Sequence, residues 1–231
     1  MENRYYQDIL KAITEEKKLL AILIDPDKFD TSFTQSFLNK IPKETTHLFV
    51  GGSTVEFGFI EKTVRSIKEF SELPVFLFPG DYAQVTSEAE AILFLSLISG
   101  RNAEYLIGQQ TKAVVILKDI DLEIISTGYI LIDGGNESAV ERVSETKAMP
   151  QSNVEDIVHT ALAGEYLGAK FIYLEAGSGA KIPVNNNIIE AVKNAISIPL
   201  IVGGGIKTEE QKQKAYSYGA DLVVMGTAFE N

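Results

Sequence analysis

Residues 199–227, PLIVGGGIKTEEQKQKAYSYGADLVVMGT, hold two short apolar runs, each ending in glycine and separated by a longer, mostly polar segment. Runs this brief and this rich in Val, Leu and Ile suit strands buried on both faces, the environment of a parallel sheet whose crossovers are helices. The same alternation extends back through the chain. Strand-like runs occupy Leu19–Ile24, Thr46–Val50, Pro74–Phe78, Ala91–Ile98, Glu123–Ile132 and Lys170–Ala176, ahead of Pro199–Gly203 and Asp221–Gly226. Segments of helical periodicity, such as VEDIVHTALAGEYLG from Val154, separate several of them. Eight strands alternating with helices over one domain's length predict an α/β fold of the (β/α)8 TIM-barrel type, with a doubly wound open sheet as the alternative.

No Ser/Gly linker, charge block or compositional shift divides residues 1–231, so a single domain is expected. The sequence ends at GTAFEN, just after the eighth strand, where a closing helix is expected, so the biological protein is expected to extend further. The chain is 45% hydrophobic and 23% charged, enough to bury a full core. Its net charge of -11 repels nucleic-acid phosphates, and no basic patch offsets it. Absence of cysteine excludes disulfides, thiolate nucleophiles and Cys-metal centres, and two histidines exclude a His-rich metal site. The longest apolar run, AILFLSLI, falls far short of the roughly 18 residues needed to span a bilayer. MENRYYQDIL has no secretory signal pattern, and cytoplasmic localisation is expected.

In a barrel of this kind, chemistry belongs at the C-terminal ends of the strands. The first strand ends in Ile24-Asp-Pro-Asp-Lys28. Asp25 there is either a turn residue or a ligand for a divalent metal; Mg²⁺ commonly takes one or two protein carboxylates and completes its shell with water and phosphate oxygens. The second strand ends in Val50-Gly-Gly-Ser-Thr54, where Ser53 either caps the next helix, with Glu56 three residues on, or reaches into the same mouth as Asp25. In Tyr173-Leu-Glu-Ala-Gly-Ser-Gly179, Tyr173 and Glu175 share one strand face. Burying Glu175 is costly without a partner, either a ligand or a buried lysine. Gly177, Ser178 and Gly179 offer N–H groups and a hydroxyl to an anion. Gly203-Gly204-Gly205 and Gly226-Thr227 follow strands seven and eight, the place where this fold often binds phosphate.

Taken in order, IDPDK, VGGST, YLEAGSG, VGGGI and VMGTA resemble the geranylgeranylglyceryl phosphate synthase family, with its bacterial heptaprenylglyceryl relatives, over nearly the whole chain. YLEAGSG is the most specific of these motifs. The resemblance implies a Mg²⁺-dependent prenyltransferase of ether phospholipid biosynthesis, joining sn-glycerol 1-phosphate to a long polyprenyl diphosphate and releasing diphosphate. It implies Asp25 and Ser53 on the metal and diphosphate side. It implies Tyr173, Leu174, Glu175, Ala176, Gly177, Ser178, Gly179, Gly203, Gly204, Gly205, Gly226 and Thr227 around glycerol 1-phosphate. The shorter bacterial relatives carry a lysine two residues before the aspartate. Leu23 stands there, as in the archaeal-like branch that opens this loop with LIDPD, and leaves the phosphate to the backbone.

Glu175 is then expected to orient the glycerol hydroxyl and accept its proton, with Tyr173 in support and Asp25 on the metal. Phe78, Pro79, Tyr82 and Tyr129 are candidates for an apolar prenyl groove and equally for ordinary packing. The resemblance also implies a homo-oligomer, a dimer or larger, and the lipid product implies transient membrane contact. Two rivals share the glycine loops: another barrel enzyme acting on small phosphorylated metabolites, and a non-catalytic phosphate-binding module. The first has little use for the IDPD loop, and no inward lysine stands at a strand end for Schiff-base chemistry.

Overall fold

The computed structural model describes residues 3–55 and 58–229. Eight parallel strands close into a barrel in sequence order: β1 (Leu19–Ile24), β2 (His47–Val50), β3 (Val75–Leu77), β4 (Ala91–Leu97), β5 (Glu123–Leu131), β6 (Phe171–Glu175), β7 (Leu200–Gly203) and β8 (Leu222–Met225). β8 pairs with β1 through Leu19–Leu222 to Ile22–Met225, which closes the sheet and excludes the open doubly wound arrangement. All eight expected strands are present, with ends trimmed by a residue or two. β3 starts after Pro74, whose nitrogen has no hydrogen to donate, although the Pro74 carbonyl still accepts from Leu48 N–H.

Alternating side chains divide the apolar residues into two layers. Phe49, Phe76, Leu93, Phe171 and Ile201 point inward and fill the barrel. Leu48, Val50, Leu77, Ile172 and Val202 point outward against the surrounding helices. Those helices are α2 (Thr34–Leu38), α3 (Phe59–Lys68), α4 (Gln109–Leu117), α5 (Ala139–Ser144), α6 (Val154–Tyr166), α7 (Asn186–Ala195) and α8 (Glu209–Ser217), after the amino-terminal α1 (Arg4–Thr14). Capping boxes start two of them, Ser138 with Glu141 for α5 and Thr208 with Gln211 for α8.

Helix α1 was not expected from sequence and lies across the amino-terminal end of the barrel. Tyr5 packs edge-on against Phe76 with ring centroids 5.9 Å apart, Tyr6 against Phe171 at 5.4 Å, and Ile9 joins the interior layer. The first residue of β5, Glu123, accepts the Tyr5 and Tyr6 N–H groups at 2.7 and 2.9 Å, so a carboxylate from the barrel floor caps the positive end of α1. That end of the barrel is covered, and the cavity described below lies at the carboxyl ends of the strands. No helix among the described residues is long and apolar enough to cross a membrane.

Candidate active site

A cavity of about 470 Å³ opens at the carboxyl ends of the strands, within the size range of small-molecule sites. Asp25, Ser53, Glu175, Ser178, Gly204, Gly205, Gly226 and Thr227 all line it. Side chains or backbone from five βα loops, far apart in sequence, therefore meet in one place.

Asp25 serves its turn and faces the cavity as well. Its carbonyl accepts from Lys28 N–H at 3.1 Å, and its Oδ1 accepts from Asp27 N–H at 3.2 Å. Oδ2 lies 3.3 Å from Lys28 Nζ, and the side chain keeps 23% of its exposure. A β-carbon at Gly52 would fall 2.9 Å from Asp25 Oδ1, so glycine leaves room for the carboxylate. Buried Gln84 ties the second and third loops together, donating from Nε2 to the Gly52 carbonyl at 2.9 Å and accepting from Gly80 N–H at 3.0 Å. Ser53 lies in a bend, and α3 begins only at Phe59 with Gly58 at its cap, so Ser53 does not cap that helix. Its expected capping-box partner, Glu56, is outside the described residues. The local donors, carboxylate and hydroxyl oxygens, are of the hard type that Mg²⁺ accepts. Among the described residues no group of three His, Cys, Asp or Glu side chains could hold a metal, which leaves only a sparse, carboxylate-poor mode of binding.

Glu175 ends β6 and is 5% exposed. Its partner is no lysine: Oε1 accepts from Gly177 N–H at 2.7 Å, and no ion pair involves Glu175 among the described residues. Burial raises its pKa to about 7; the Gly177 bond opposes that rise, and the Tyr173 hydroxyl opposes it more weakly. Yet Tyr173 Oη makes no well-formed hydrogen bond, and this buried donor is left without a partner. Tyr173 itself lies just beneath the cavity, where its ring stacks on Phe78 at 5.3 Å and meets Tyr129 edge-on at 5.4 Å. Burial with the Glu175 charge nearby drives the hydroxyl pKa of both tyrosines well upward, keeping them neutral donors.

The glycines of the seventh loop are needed for this arrangement. A β-carbon at Gly203 would fall 2.9 Å from Glu175 Oε2. At Gly204 (φ 81°) one would collide with Oε1 and lie 2.6 Å from the nitrogens of Ala176 and Gly177. Only glycine fits both the left-handed backbone and the close approach. Ala176 N–H bonds the Gly203 carbonyl and Gly177 N–H bonds Glu175, so neither is free for a ligand. By contrast the N–H groups of Ser178, Gly179, Gly204, Gly205, Gly226 and Thr227 have no partner within the described residues. All of these but Gly179 line the cavity, and unpaired N–H groups from three loops around one cavity are the kind of donor set that takes up an anion. Leu174 and Ala176 belong instead to the layer facing the helices, so their side chains do not reach the cavity.

Phe78, Pro79, Tyr82 and Tyr129 all line the cavity, and Ile92, Leu95 and Ala113 add apolar lining. Three cavity cations were not singled out by sequence: Lys28, Arg142 and Lys207. Lys28 lies in a turn, Lys207 in a loop and Arg142 in the last turn of α5, places where a solvated role is the ordinary reading.

The PcrB family profile matches residues 11–231. The chain belongs to the PcrB family. Two relatives named geranylgeranylglyceryl phosphate synthase are highly similar to this PcrB-family chain. The protein of Zunongwangia profunda is 58% identical, covering 96% of this chain and 95% of its own length. That of Flavobacterium johnsoniae is 53% identical, covering 98% and 93%. The crystal structure of (S)-3-O-geranylgeranylglyceryl phosphate synthase from Thermoplasma acidophilum, in complex with sn-glycerol 1-phosphate, superposes with a TM-score of 0.89 at 32% identity, covering 98% of this chain and 91% of that one.

Proposed function

We propose that this PcrB-family enzyme transfers a long polyprenyl group, geranylgeranyl by similarity to its named relatives, from its diphosphate to sn-glycerol 1-phosphate in ether phospholipid synthesis. The observation that carries the reading is that Glu175, a buried carboxyl of pKa about 7, lines one cavity together with loops bearing unpaired N–H groups and a set of apolar side chains. A hydrophilic phosphate and a long hydrocarbon then meet at one proton acceptor. An isomerase or aldolase of small phosphorylated metabolites would have no use for so much apolar lining.

The residues divide the work as follows. The N–H groups of Gly204, Gly205, Gly226 and Thr227, with Ser178 and Gly179, hold the phosphate and fix the glycerol above Glu175. Tyr173 Oη, unpartnered in this structure, donates to the incoming polyol. Phe78, Pro79, Tyr82 and Tyr129 hold the prenyl chain. Asp25 and Ser53 would hold Mg²⁺, which would neutralise charge on the departing diphosphate. The glycerol oxygen forms an ether bond to the allylic carbon as the carbon–oxygen bond to diphosphate breaks, the diphosphate keeps the bonding electrons, and Glu175 takes the hydroxyl proton. The product is a lipid, and a transient membrane contact and homo-oligomeric assembly belong to the same proposal.

The test is to incubate the purified protein with labelled sn-glycerol 1-phosphate and either C20 or C35 prenyl diphosphate, with and without EDTA, and to measure organic-extractable label. Product that needs a prenyl donor and disappears with EDTA is expected. No product with either donor would remove the proposal.

A further inference from the structure

The proposed phosphate nest is built of backbone N–H groups, and the strand β1 itself carries no cation to it: Leu23 lines the cavity and packs against Gly226. A side-chain cation does reach it from another direction. Lys207 follows the Gly203–Ile206 turn and lines the cavity beside Ser178, Gly204 and Gly205. Its Nζ lies 3.3 Å from the Ala180 carbonyl, next to the Gly177–Gly179 turn, so the ammonium stands where the sixth and seventh loops meet. Gly205 interlocks the same two loops, since a β-carbon there would lie 3.2 Å from the Ala180 methyl.

The ion pairing around Lys207 is informative. The chain has 32 acidic and 21 basic residues, and α8 begins with Glu209 and Glu210. The other two lysines of this segment use those carboxylates: Lys212 pairs with Glu209 at 2.8 Å and Lys214 with Glu210 at 2.7 Å. Lys207 pairs with no carboxylate among the described residues; it is turned away from the helix and towards the cavity. An ammonium with donors to spare, beside a cluster of unpaired N–H groups, complements a dianionic phosphate.

We propose that Lys207 is the side-chain cation that binds the phosphate of glycerol 1-phosphate, completing the backbone nest. The assignment rests on the glycerol 1-phosphate reading given above, and the experiment separates the two. Binding of sn-glycerol 1-phosphate, of inorganic phosphate and of a prenyl diphosphate is measured by calorimetry on the wild-type chain, Lys207→Ala and Lys207→Arg. Loss of one charge-assisted contact predicts roughly 10- to 100-fold weaker binding of sn-glycerol 1-phosphate by Lys207→Ala. Inorganic phosphate should weaken in parallel, prenyl diphosphate should bind as before, and Lys207→Arg should regain most of the affinity. Wild-type affinity for glycerol 1-phosphate in Lys207→Ala, or an equal loss for prenyl diphosphate, would overturn the lysine assignment while leaving the glycerol phosphate reading intact. Failure of the wild-type chain itself to bind glycerol 1-phosphate would overturn both.

Discussion

At the residue scale, the two acidic side chains of the site are held in opposite ways. Asp25 stays about a quarter exposed in a turn, paired with Lys28, while Glu175 is buried and answered by a single N–H group. A base of pKa about 7 must be ionised to accept a proton, so kcat/KM is expected to rise with pH through about 7 and then level, and Glu175→Gln should lose that limb with most of its activity. The same shift sets a stability signature. Because the folded-state pKa exceeds the unfolded value of 4.5, the unfolded chain binds fewer protons between the two, and stability falls as pH rises through that window. Glu175→Gln should therefore unfold at higher denaturant than wild type at pH 8, by roughly 3 kcal/mol at most, with the gap closing below the unfolded pKa. A variant no more stable than wild type at pH 8 would contradict the buried, uncompensated carboxyl. Asp25→Ala should leave the unfolding midpoint nearly unchanged and abolish turnover in magnesium buffer; near-normal activity would remove Asp25 as the metal ligand.

At the scale of single elements, the seventh loop is the stiffest requirement. Gly204→Ala combines a left-handed backbone with a collision against Glu175, and should cost at least about 1–3 kcal/mol together with most of the activity. Gly226→Ala meets only ordinary contacts of 3.4 Å and longer at Leu23, and should fold as wild type. Comparable unfolding midpoints for the two would show that the seventh loop is not the constrained one. These loops were legible in sequence as glycines closing short apolar runs, where backbone turns sharply or is approached closely. The division within YLEAGSG was less so: side-chain alternation placed Tyr173 and Glu175 inward, but that the Gly177 N–H serves Glu175 follows from the turn's folded path. Gln84 and Lys207 were not legible at all, because a polar residue in a loop has no periodicity to mark which way it points.

For the whole molecule, the barrel could be read from eight short aliphatic runs because strands buried on both faces leave a continuous apolar signal. The stopper at its other end could not. The two tyrosines and Ile9 of α1 gain their apolar surroundings only once the barrel floor exists, and Glu123 looks like a solvated strand end until α1 is laid on it. Glu123→Ala should lower global stability by roughly 2 kcal/mol, seen in chemical denaturation, with KM values unchanged, since the substitution lies at the end opposite the cavity. Altered KM would place α1 in communication with the site. The central claim, that this barrel builds an ether on glycerol 1-phosphate, is tested most directly by stereochemistry. With one prenyl diphosphate and magnesium, the two enantiomers of glycerol phosphate are offered separately and extractable product is measured. A nest fixed on three loops with Glu175 at one position predicts product from the sn-1 isomer and little from sn-3; equal use of both would contradict it.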